Sequence, residues 1–391
     1  MPVINRIAAI HDEMTAWRRD IHAHPELGFE EERTAGVVAE KLDSFGIRVH
    51  RGLAKTGVVG VLEGAPGERA IALRADMDAL PILEGNEDAD HRSRNDGTMH
   101  ACGHDGHTTM LLGAARYLAE TRNFAGTVYF VFQPAEEGLG GGEAMVNEGL
   151  FERFPAEAVY GMHNWPGLPA GEIAVRTGPM MAACDEFTIT VEGTGAHGAM
   201  PHLGLDPIVA AAQIVTALQS IVARNVDPLE AGVVSVTKIH GGDAFNVIPQ
   251  AVELAGTVRT FKPAVRDLIA GGIQRIAEST AAALGATATV NLEGRFPATV
   301  NTADETDRAE AAAAAVVGAA NVHRDLAPCM GSEDFAYMLH ARPGSYIWIG
   351  NGLGAGGCFL HNPGYDFNDE ILPIGASYWA TLVERELAKG G

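Results

Sequence analysis

Four apolar runs in this chain are each followed by a cluster of residues that can bind metals or transfer protons. The runs, at residues 70–75, 127–132, 157–162 and 346–350, are separated by segments with helical patterns. Continuous apolar strands that alternate with helices predict an α/β fold with a mostly parallel sheet and helices on both faces. Because α/β sites form at the carboxyl ends of strands, we expect the polar clusters to meet there. The clusters are Asp76–Pro81, Gln133–Gly138, His163–Asn164 and His361–Pro363.

The stretch Met99–His107 concentrates potential metal ligands in a glycine-rich loop. Cys102 and His104 are two residues apart, so both side chains can face one point in an extended or tightly turned backbone. A thiolate and a neutral imidazole are good ligands for zinc-like divalent ions. The helical pattern from Met110 to Leu118 places the loop at a helix N-terminus. A turn with incidental polar residues is the alternative interpretation.

Three residues from later clusters could complete a metal site with this loop. With Cys102 and His104, the residues Glu137, His163 and His361 make five candidate ligands. One zinc-like ion needs about four ligands, and five are too few for two separate ions. Two ions are possible if the cysteine sulfur and a hydroxide bridge them.

The carboxylate pair Glu136-Glu137 can divide two tasks, because neighbouring side chains in an extended segment point in opposite directions. One can bind metal while Glu136 takes a proton from water and returns it to the leaving nitrogen. Asp78 is expected to fix the tautomer of a ligand imidazole. The expected reaction is metal-assisted amide hydrolysis. A solvated acidic turn is the alternative for the pair, and a capped turn before Pro81 is the alternative for Asp76 and Asp78.

Residues 183–295 follow a different pattern and are expected to form an inserted domain. The order βαββαβ predicts a ferredoxin-like, four-stranded sheet with two helices on one face. The catalytic metal-binding domain would then comprise residues 1–182 and 296–391. His197 lies in a glycine-rich turn and could donate to an oxyanion, although a turn histidine without a role is the alternative. Asn246 offers a neutral donor in another such turn.

Charge and composition exclude several classes of partner. The net charge of −22 argues against nucleic acid and anionic membranes. The chain lacks a signal peptide pattern at its start, and no apolar run of about 18 residues predicts a membrane span. Its four cysteines are far apart, which favours reduced thiols in a cytoplasmic protein. His22 and His24 look like a metal-binding pair, but a helix-to-turn junction separates their directions, so no site is expected there.

Eight motifs, spread over nearly the whole chain, are specific as a set: Arg18–Gly28, Arg74–Pro81, Met99–His107, Gln133–Gly138, Gly161–His163, Ala199–His202, Gly331–Phe335 and His361–Pro363. Together they resemble the motifs of the N-acyl-amino-acid amidohydrolase family. That family includes hippurate hydrolases, aminoacylase-like enzymes and hydrolases of auxin–amino-acid conjugates, and it is related to the dinuclear carboxypeptidases.

The resemblance implies a dinuclear site in which Cys102 bridges two divalent ions and Glu136 is the general base. It also implies that His197 reaches the active site of a partner subunit, and that the inserted lid domain assembles a homodimer or homotetramer. Asn246 would bind substrate. The carboxypeptidase relatives have a metal-binding histidine at the position of Asp76 and a bridging aspartate, so this chain matches the cysteine-bridged branch. The remaining implied ligands are His104, Glu137, His163 and His361.

The expected function is hydrolysis of N-acyl-L-amino acids, with N-acetyl, N-benzoyl or similar acyl groups, to a carboxylate and a free amino acid. A dipeptidase or an N-carbamoyl-amino-acid amidohydrolase on the same scaffold is the alternative among enzymes. A non-enzymatic protein that binds an amino-acid conjugate or stores metal is a third hypothesis, but binding alone would not require the base Glu136. Zinc is the first choice of metal, and manganese, nickel and cobalt remain open.

Overall fold

A computed structural model describes residues 3–352 and 358–389, and the chain divides into two compact units. The predicted insertion, residues 183–295, falls within the smaller unit. That unit also takes in residues 328–333, which the sequence analysis assigned to the catalytic domain. The larger unit comprises Met1–Met180, Thr299–Ala327 and Asp334–Gly391, and the smaller unit comprises Met181–Ala298 and Pro328–Glu333.

The strands of the described residues follow in chain order. They are Arg48–Leu53 (β1), Gly57–Glu63 (β2), Ala65–Asp76 (β3), Ala125–Gln133 (β4), Ala158–Pro166 (β5), Ile173–Ala174 (β6), Gly178–Met181 (β7), Ala183–Glu192 (β8), Ala196–His197 (β9), Gly232–His240 (β10), Val247–Ile248 (β11), Ala251–Thr260 (β12), Thr287–Phe296 (β13), Thr299–Asn301 (β14), Val322–His323 (β15) and Gly344–Gly352 (β16).

The α-helices of the same residues lie between these strands and at the two ends of the chain. They are Asn5–Ala8 (α1), His11–Ala23 (α2), Glu32–Ser44 (α3), His104–Thr121 (α4), Gly141–Asn147 (α5), Leu150–Arg153 (α6), Pro207–Arg224 (α7), Pro263–Ala283 (α8), Ala303–Val317 (α9), Ala336–Ala341 (α10) and Leu372–Glu386 (α11).

The sheet of the larger unit collects the ends of its parallel strands at one edge. Its spatial order is β1-β2-β4-β3-β5-β16-β6-β15, and β4, β3, β5 and β16 run parallel. Asp76 pairs with Gln133, and His163 pairs with Trp348, so the polar clusters begin at the same edge. The predicted α/β class with a mostly parallel sheet is therefore confirmed.

Helix α4 is buried on nearly all sides because it packs on β3 and also against α2, α3 and α11. Its residues Met110, Leu111 and Leu118 are fully buried in the core of the larger unit. This packing fixes the position of the helix start relative to the sheet. The glycine-rich loop ends there, at Gly103. The loop that carries Cys102 is therefore anchored on its helical side.

The smaller unit has a four-stranded antiparallel sheet in the order β10-β12-β8-β13. Helices α7 and α8 pack on each other and on this sheet. Side chains such as Ile189, Leu218 and Ile269 fill the core between sheet and helices. The order of the main elements is βαββαβ, as the sequence pattern predicts.

Helix α7 is, among the described helices, the one whose length and composition would allow it to cross a membrane, although the sequence analysis expected no such segment. One helix of this kind is weak evidence for a span, since core helices of soluble proteins meet the same criterion. Its residues Ala211, Ile214 and Leu218 are buried in the core of the smaller unit.

We expect Gly106→Ala to destabilise the protein by about 1–3 kcal/mol, because overpacking a filled core forces side chains off their preferred rotamers. A Cβ atom at Gly106 would lie 2.1 Å from the Phe367 ring. Gly36→Ala is the matched control, since Gly36 also lies in a helix but a Cβ there meets nothing within 4 Å. The control should be more stable than the unaltered protein by about 0.5–1 kcal/mol, because alanine is favoured over glycine inside a helix. Denaturant unfolding measures both changes, and equal stability of the two variants would contradict this packing.

Candidate metal centre

The structure brings the five predicted ligands together as two trios that share one sulfur. Possible ligand atoms of Cys102, His104 and His163 all lie within 4.8 Å of one another, and so do those of Cys102, Glu137 and His361. Cys102 Sγ is 3.3 Å from His163 Nε2. His361 Nε2 is 3.4 Å from Glu137 Oε1. We call these five residues the candidate metal centre.

The backbone around Cys102 depends on the next residue being glycine. Gly103 has φ +96°, in the left-handed region that other residues rarely adopt. A Cβ atom there would lie 2.3 Å from Asn164 Oδ1. Gly103 therefore allows the loop to turn directly into helix α4, so that His104 at the first helical position follows Cys102 into the same buried space.

Asp78 holds two of the candidate ligands in place. His104 Nδ1 is 2.9 Å from the backbone oxygen of Asp78 and 3.1 Å from its Oδ1. The backbone N–H of Glu137 donates to Asp78 Oδ2 at 2.9 Å. Because His104 Nδ1–H is used in this way, Nε2 is the ring atom that can bind a metal ion.

Two buried atoms of the centre lack the partners that buried polar atoms normally have. His104 Nε2 and Glu137 Oε1 have no hydrogen-bond partner among the described residues. They lie 3.9 Å apart, which is too far for a direct hydrogen bond. A cation between them would satisfy both, and thiolate, imidazole and carboxylate are the donors that zinc-like ions prefer. The residues therefore fit divalent metal ions.

The other two imidazoles of the centre come from β5 and from a loop near the C-terminus. His163 Nδ1 donates to the backbone oxygen of Asn164 at 2.6 Å, so its Nε2 faces Cys102 as an acceptor. Burial, together with the charge of His107, holds the pKa of His163 well below its usual value, so the ring is neutral. His361 has φ +63°, and its N–H donates to the Ala101 oxygen at 2.8 Å.

Glu136 lies beside the centre on a strained turn. Ala135 has φ +54°, a conformation that costs energy for a residue with a Cβ atom. Its N–H donates to Glu31 Oε1 at 2.8 Å, which holds the turn. The Glu136 side chain is 7% exposed, and its Oε1 lies 3.4 Å from the backbone N–H of Asp334.

Arg74 is a residue of this region that the sequence analysis missed. Its buried guanidinium donates to Asp76 at 2.7 Å, to Gln133 at 2.8 Å and to Asp334 at 3.1 Å. Asp76 also accepts from His107 Nδ1 at 2.6 Å. The side chain of Asp76 is thus held by an ion pair and an imidazole, rather than capping a turn. A charged residue inside the apolar run 70–75 was the available signal.

His197 and Asn246 lie close to each other in the smaller unit. His197 is on β9 and pairs with Val247 of β11, and the N–H of Gly198 donates to the Asn246 oxygen at 2.7 Å. The N–H of Ala199 donates to His197 Nδ1 at 3.0 Å. Both side chains are exposed within this unit. Their roles in catalysis and substrate binding stay predictions.

Without a metal, two of the candidate ligands hold protons. Burial raises the pKa of the Cys102 thiol well above its usual value, and the Glu137 carboxylate raises it further. Burial lowers the pKa of His104, but the negative charge of Asp76 and other nearby carboxylates raise it to about 10. A metal ion must displace both protons in order to bind these two side chains.

We therefore expect the affinity of the metal-free protein for zinc to fall when the pH is lowered from about 8 to about 6, because protons compete for the ligands. Zinc binding should also release protons. Competition with a chromophoric chelator measures the affinity, and calorimetry in two buffers of different ionisation enthalpy measures the release. Affinity that is independent of pH, with no proton release, would contradict this protonation state.

Comparisons with known proteins show the family of this chain. The model of peptidase family M20/M25/M40 matches residues 72–385. The chain is 42% identical to a hippurate hydrolase of Campylobacter jejuni, covering 99% of this chain and 100% of the relative. It is 40% identical to an N-acetylcysteine deacetylase of Bacillus subtilis, covering 96% of this chain and 97% of the relative.

A solved structure extends the likeness to the three-dimensional fold. A dinuclear metal binding peptidase of the M20 family from Bacillus subtilis matches with a TM-score of 0.84 and 36% identity. The match covers 97% of this chain and 99% of that chain. The chain therefore belongs to peptidase family M20/M25/M40 and is a hydrolytic enzyme.

Proposed function

We propose that this chain is a metal-dependent amidohydrolase that cleaves N-acyl-L-amino acids to a carboxylate and a free amino acid. The observation that carries the proposal is the sharing of Cys102 by two ligand trios next to the buried Glu136. The two relatives support the substrate class, because both are named for the hydrolysis of an acylated amino acid.

The candidate metal centre would hold two divalent ions per subunit, with Cys102 common to both trios. Zinc is the first choice, and manganese, nickel and cobalt are also compatible with imidazole and carboxylate donors. When bound, such ions supply a Lewis acid for the amide carbonyl and lower the pKa of a water molecule.

Glu136 is the proposed general base and acid. Its carboxylate would accept a proton from the attacking water and deliver that proton to the leaving nitrogen, so that the amine departs neutral. Its burial limits access of solvent, and its carboxylate oxygen lies within 4.8 Å of ligand atoms of His104 and Glu137. Asp78 is a positioning residue, because it acts through His104 and the Glu137 backbone.

An aromatic surface beside the centre suggests which acyl groups the enzyme takes. Trp165 stacks on Trp348 with ring centroids 4.0 Å apart, and its ring lies 6.2 Å from that of His163. Phe359 meets Trp165 edge-on at 5.8 Å and is 50% exposed. Because aromatic rings favour such pairings, we propose that this surface binds an aromatic acyl group, such as benzoyl.

The remaining proposals concern the smaller unit. We propose that it closes over substrate and assembles a homodimer, in which His197 serves the active site of the partner subunit. Asn246 would bind the substrate. The exposure of both side chains within their own unit is compatible with these roles.

Glu136→Gln should lower kcat for N-benzoylglycine by about 10²–10⁴-fold, because the amide cannot carry the proton. Its metal content should stay that of the unaltered protein. Glu143→Gln is the control, since Glu143 is an exposed acid in the first turn of α5, and it should leave kcat unchanged. If Glu136→Gln hydrolyses the substrate as fast as the control does, Glu136 is not the base.

Phe359→Ala should lower kcat/KM for N-benzoylglycine by about two- to tenfold, the loss expected for one aromatic contact. The kcat/KM for N-acetylglycine should change little, because an acetyl group has no aromatic ring that could contact Phe359. Leu229→Ala is a control for loss of an exposed apolar side chain, at a position 94% exposed. Equal losses for the two substrates would mean that the aromatic surface does not recognise the acyl group.

A further inference from the structure

A second group of metal-binding side chains lies outside the candidate metal centre, where helix α2 meets two loops. Ligand atoms of His22, His91 and Asp366 all lie within 4.8 Å of one another. Glu84 adds a fourth donor, with its Oε1 3.3 Å from His22 Nε2. The side chains of His22 and Glu84 are buried, whereas those of His91 and Asp366 are 11% and 28% exposed. An ion can therefore reach the group from solvent.

The spacing of these atoms suits ligands around one ion. His91 Nε2 lies 3.1 Å from each carboxylate oxygen of Asp366, within hydrogen-bond distance of both, and Asp366 Oδ1 also accepts from Arg18. Donors held tetrahedrally at about 2.0–2.1 Å from zinc lie about 3.3 Å from one another. The separation of His22 from Glu84 has this value, and the candidate metal centre shows separations of 3.3 and 3.4 Å.

The second ring nitrogen of His22 has the partner that metal-binding histidines usually have. Its Nδ1 lies 2.8 Å from Asp105 Oδ2. Donation of that N–H to a carboxylate leaves Nε2 as the ring atom for an ion. Without an ion, Nε2 can donate to Glu84 Oε1. His100, whose ring lies 6.2 Å from that of His22, is buried with no hydrogen-bond partner on either ring nitrogen among the described residues.

Charge also favours a cation at this place. Four carboxylates and two guanidiniums lie in contact here. Burial lowers the pKa of His22, but its hydrogen bonds to Asp105 and Glu84 raise it to about 9, so a divalent cation must displace a proton from this ring. With both imidazoles then neutral, the group has a net charge of −2. One divalent cation would neutralise it, and buried charge that is left unbalanced is costly. The charged residues are Arg18, Arg19, Glu84, Asp105, Asp366 and Asp369.

We propose that His22, His91 and Asp366, assisted by Glu84, bind one zinc-like divalent cation that is separate from the candidate metal centre. Imidazole and carboxylate donors suit zinc. The ion joins α2, the loop before Met99 and the loop before α11. Through His22 and Asp105 it also fastens the first turn of α4.

The test compares zinc content after the metal-free proteins are reloaded with Zn²⁺ alone and freed of unbound ion by gel filtration. The unaltered protein should bind one more zinc ion per chain than either variant, His91→Gln or Asp366→Asn. This difference should hold whatever number of zinc ions the candidate metal centre binds. His240→Gln, at an exposed position on β10, is the matched histidine control and should match the unaltered protein. If His91→Gln binds as much zinc as the unaltered protein, the proposal is wrong.

A second measurement separates this site from the candidate metal centre. Loaded with Co²⁺, a centre that contains the Cys102 thiolate gives a sulfur-to-metal charge-transfer band, whereas the proposed site has no sulfur. His91→Gln and Asp366→Asn should lose one cobalt ion and keep that band at full intensity. Loss of the band together with the ion would place the missing metal in the candidate metal centre, and it would overturn the proposal.

Discussion

The geometry of the candidate metal centre depends on the contacts of the Asp78 carboxylate. One of its oxygens faces His104 Nδ1 and the other accepts the backbone N–H of Glu137. A single side chain thus sets the tautomer of an imidazole and the position of a carboxylate from a different strand end. Since a ligand is useful only when its lone pair points at the ion, Asp78 prepares the site before any ion arrives.

The parallel sheet explains why motifs that are far apart in the sequence could be predicted to lie close together. Each apolar run ends at the same edge, so Asp78, Glu137 and His163 could be predicted to meet without knowledge of the loops. The fold of the smaller unit could also be predicted from its sequence pattern. Strands with a two-residue repeat and helices with one apolar face can pack in few ways when their order is βαββαβ. The grouping of residues 328–333 with the smaller unit could not be predicted, because so short a segment carries no periodicity.

The contacts that sequence reasoning could not find are long-range and polar. Arg74 joins Gln133 and Asp334 across the larger unit, and nothing in local spacing indicates which carboxylates will surround a buried guanidinium. His22 was expected to have no site, since its neighbour His24 points elsewhere. Its partners come from Glu84 and Asp105, more than sixty residues away. Only tertiary packing brings such groups together.

The burial of Cys102 affects how its thiol reacts with chemical reagents when no metal ion is bound. Alkylating agents and peroxides attack the thiolate form of cysteine, and hardly react with the thiol. Burial and the carboxylates of Glu137 and Glu136 raise the pKa of the Cys102 thiol well above its usual value, so the sulfur stays protonated unless a cation displaces the proton. The metal-free protein should therefore react slowly with both kinds of reagent at this cysteine.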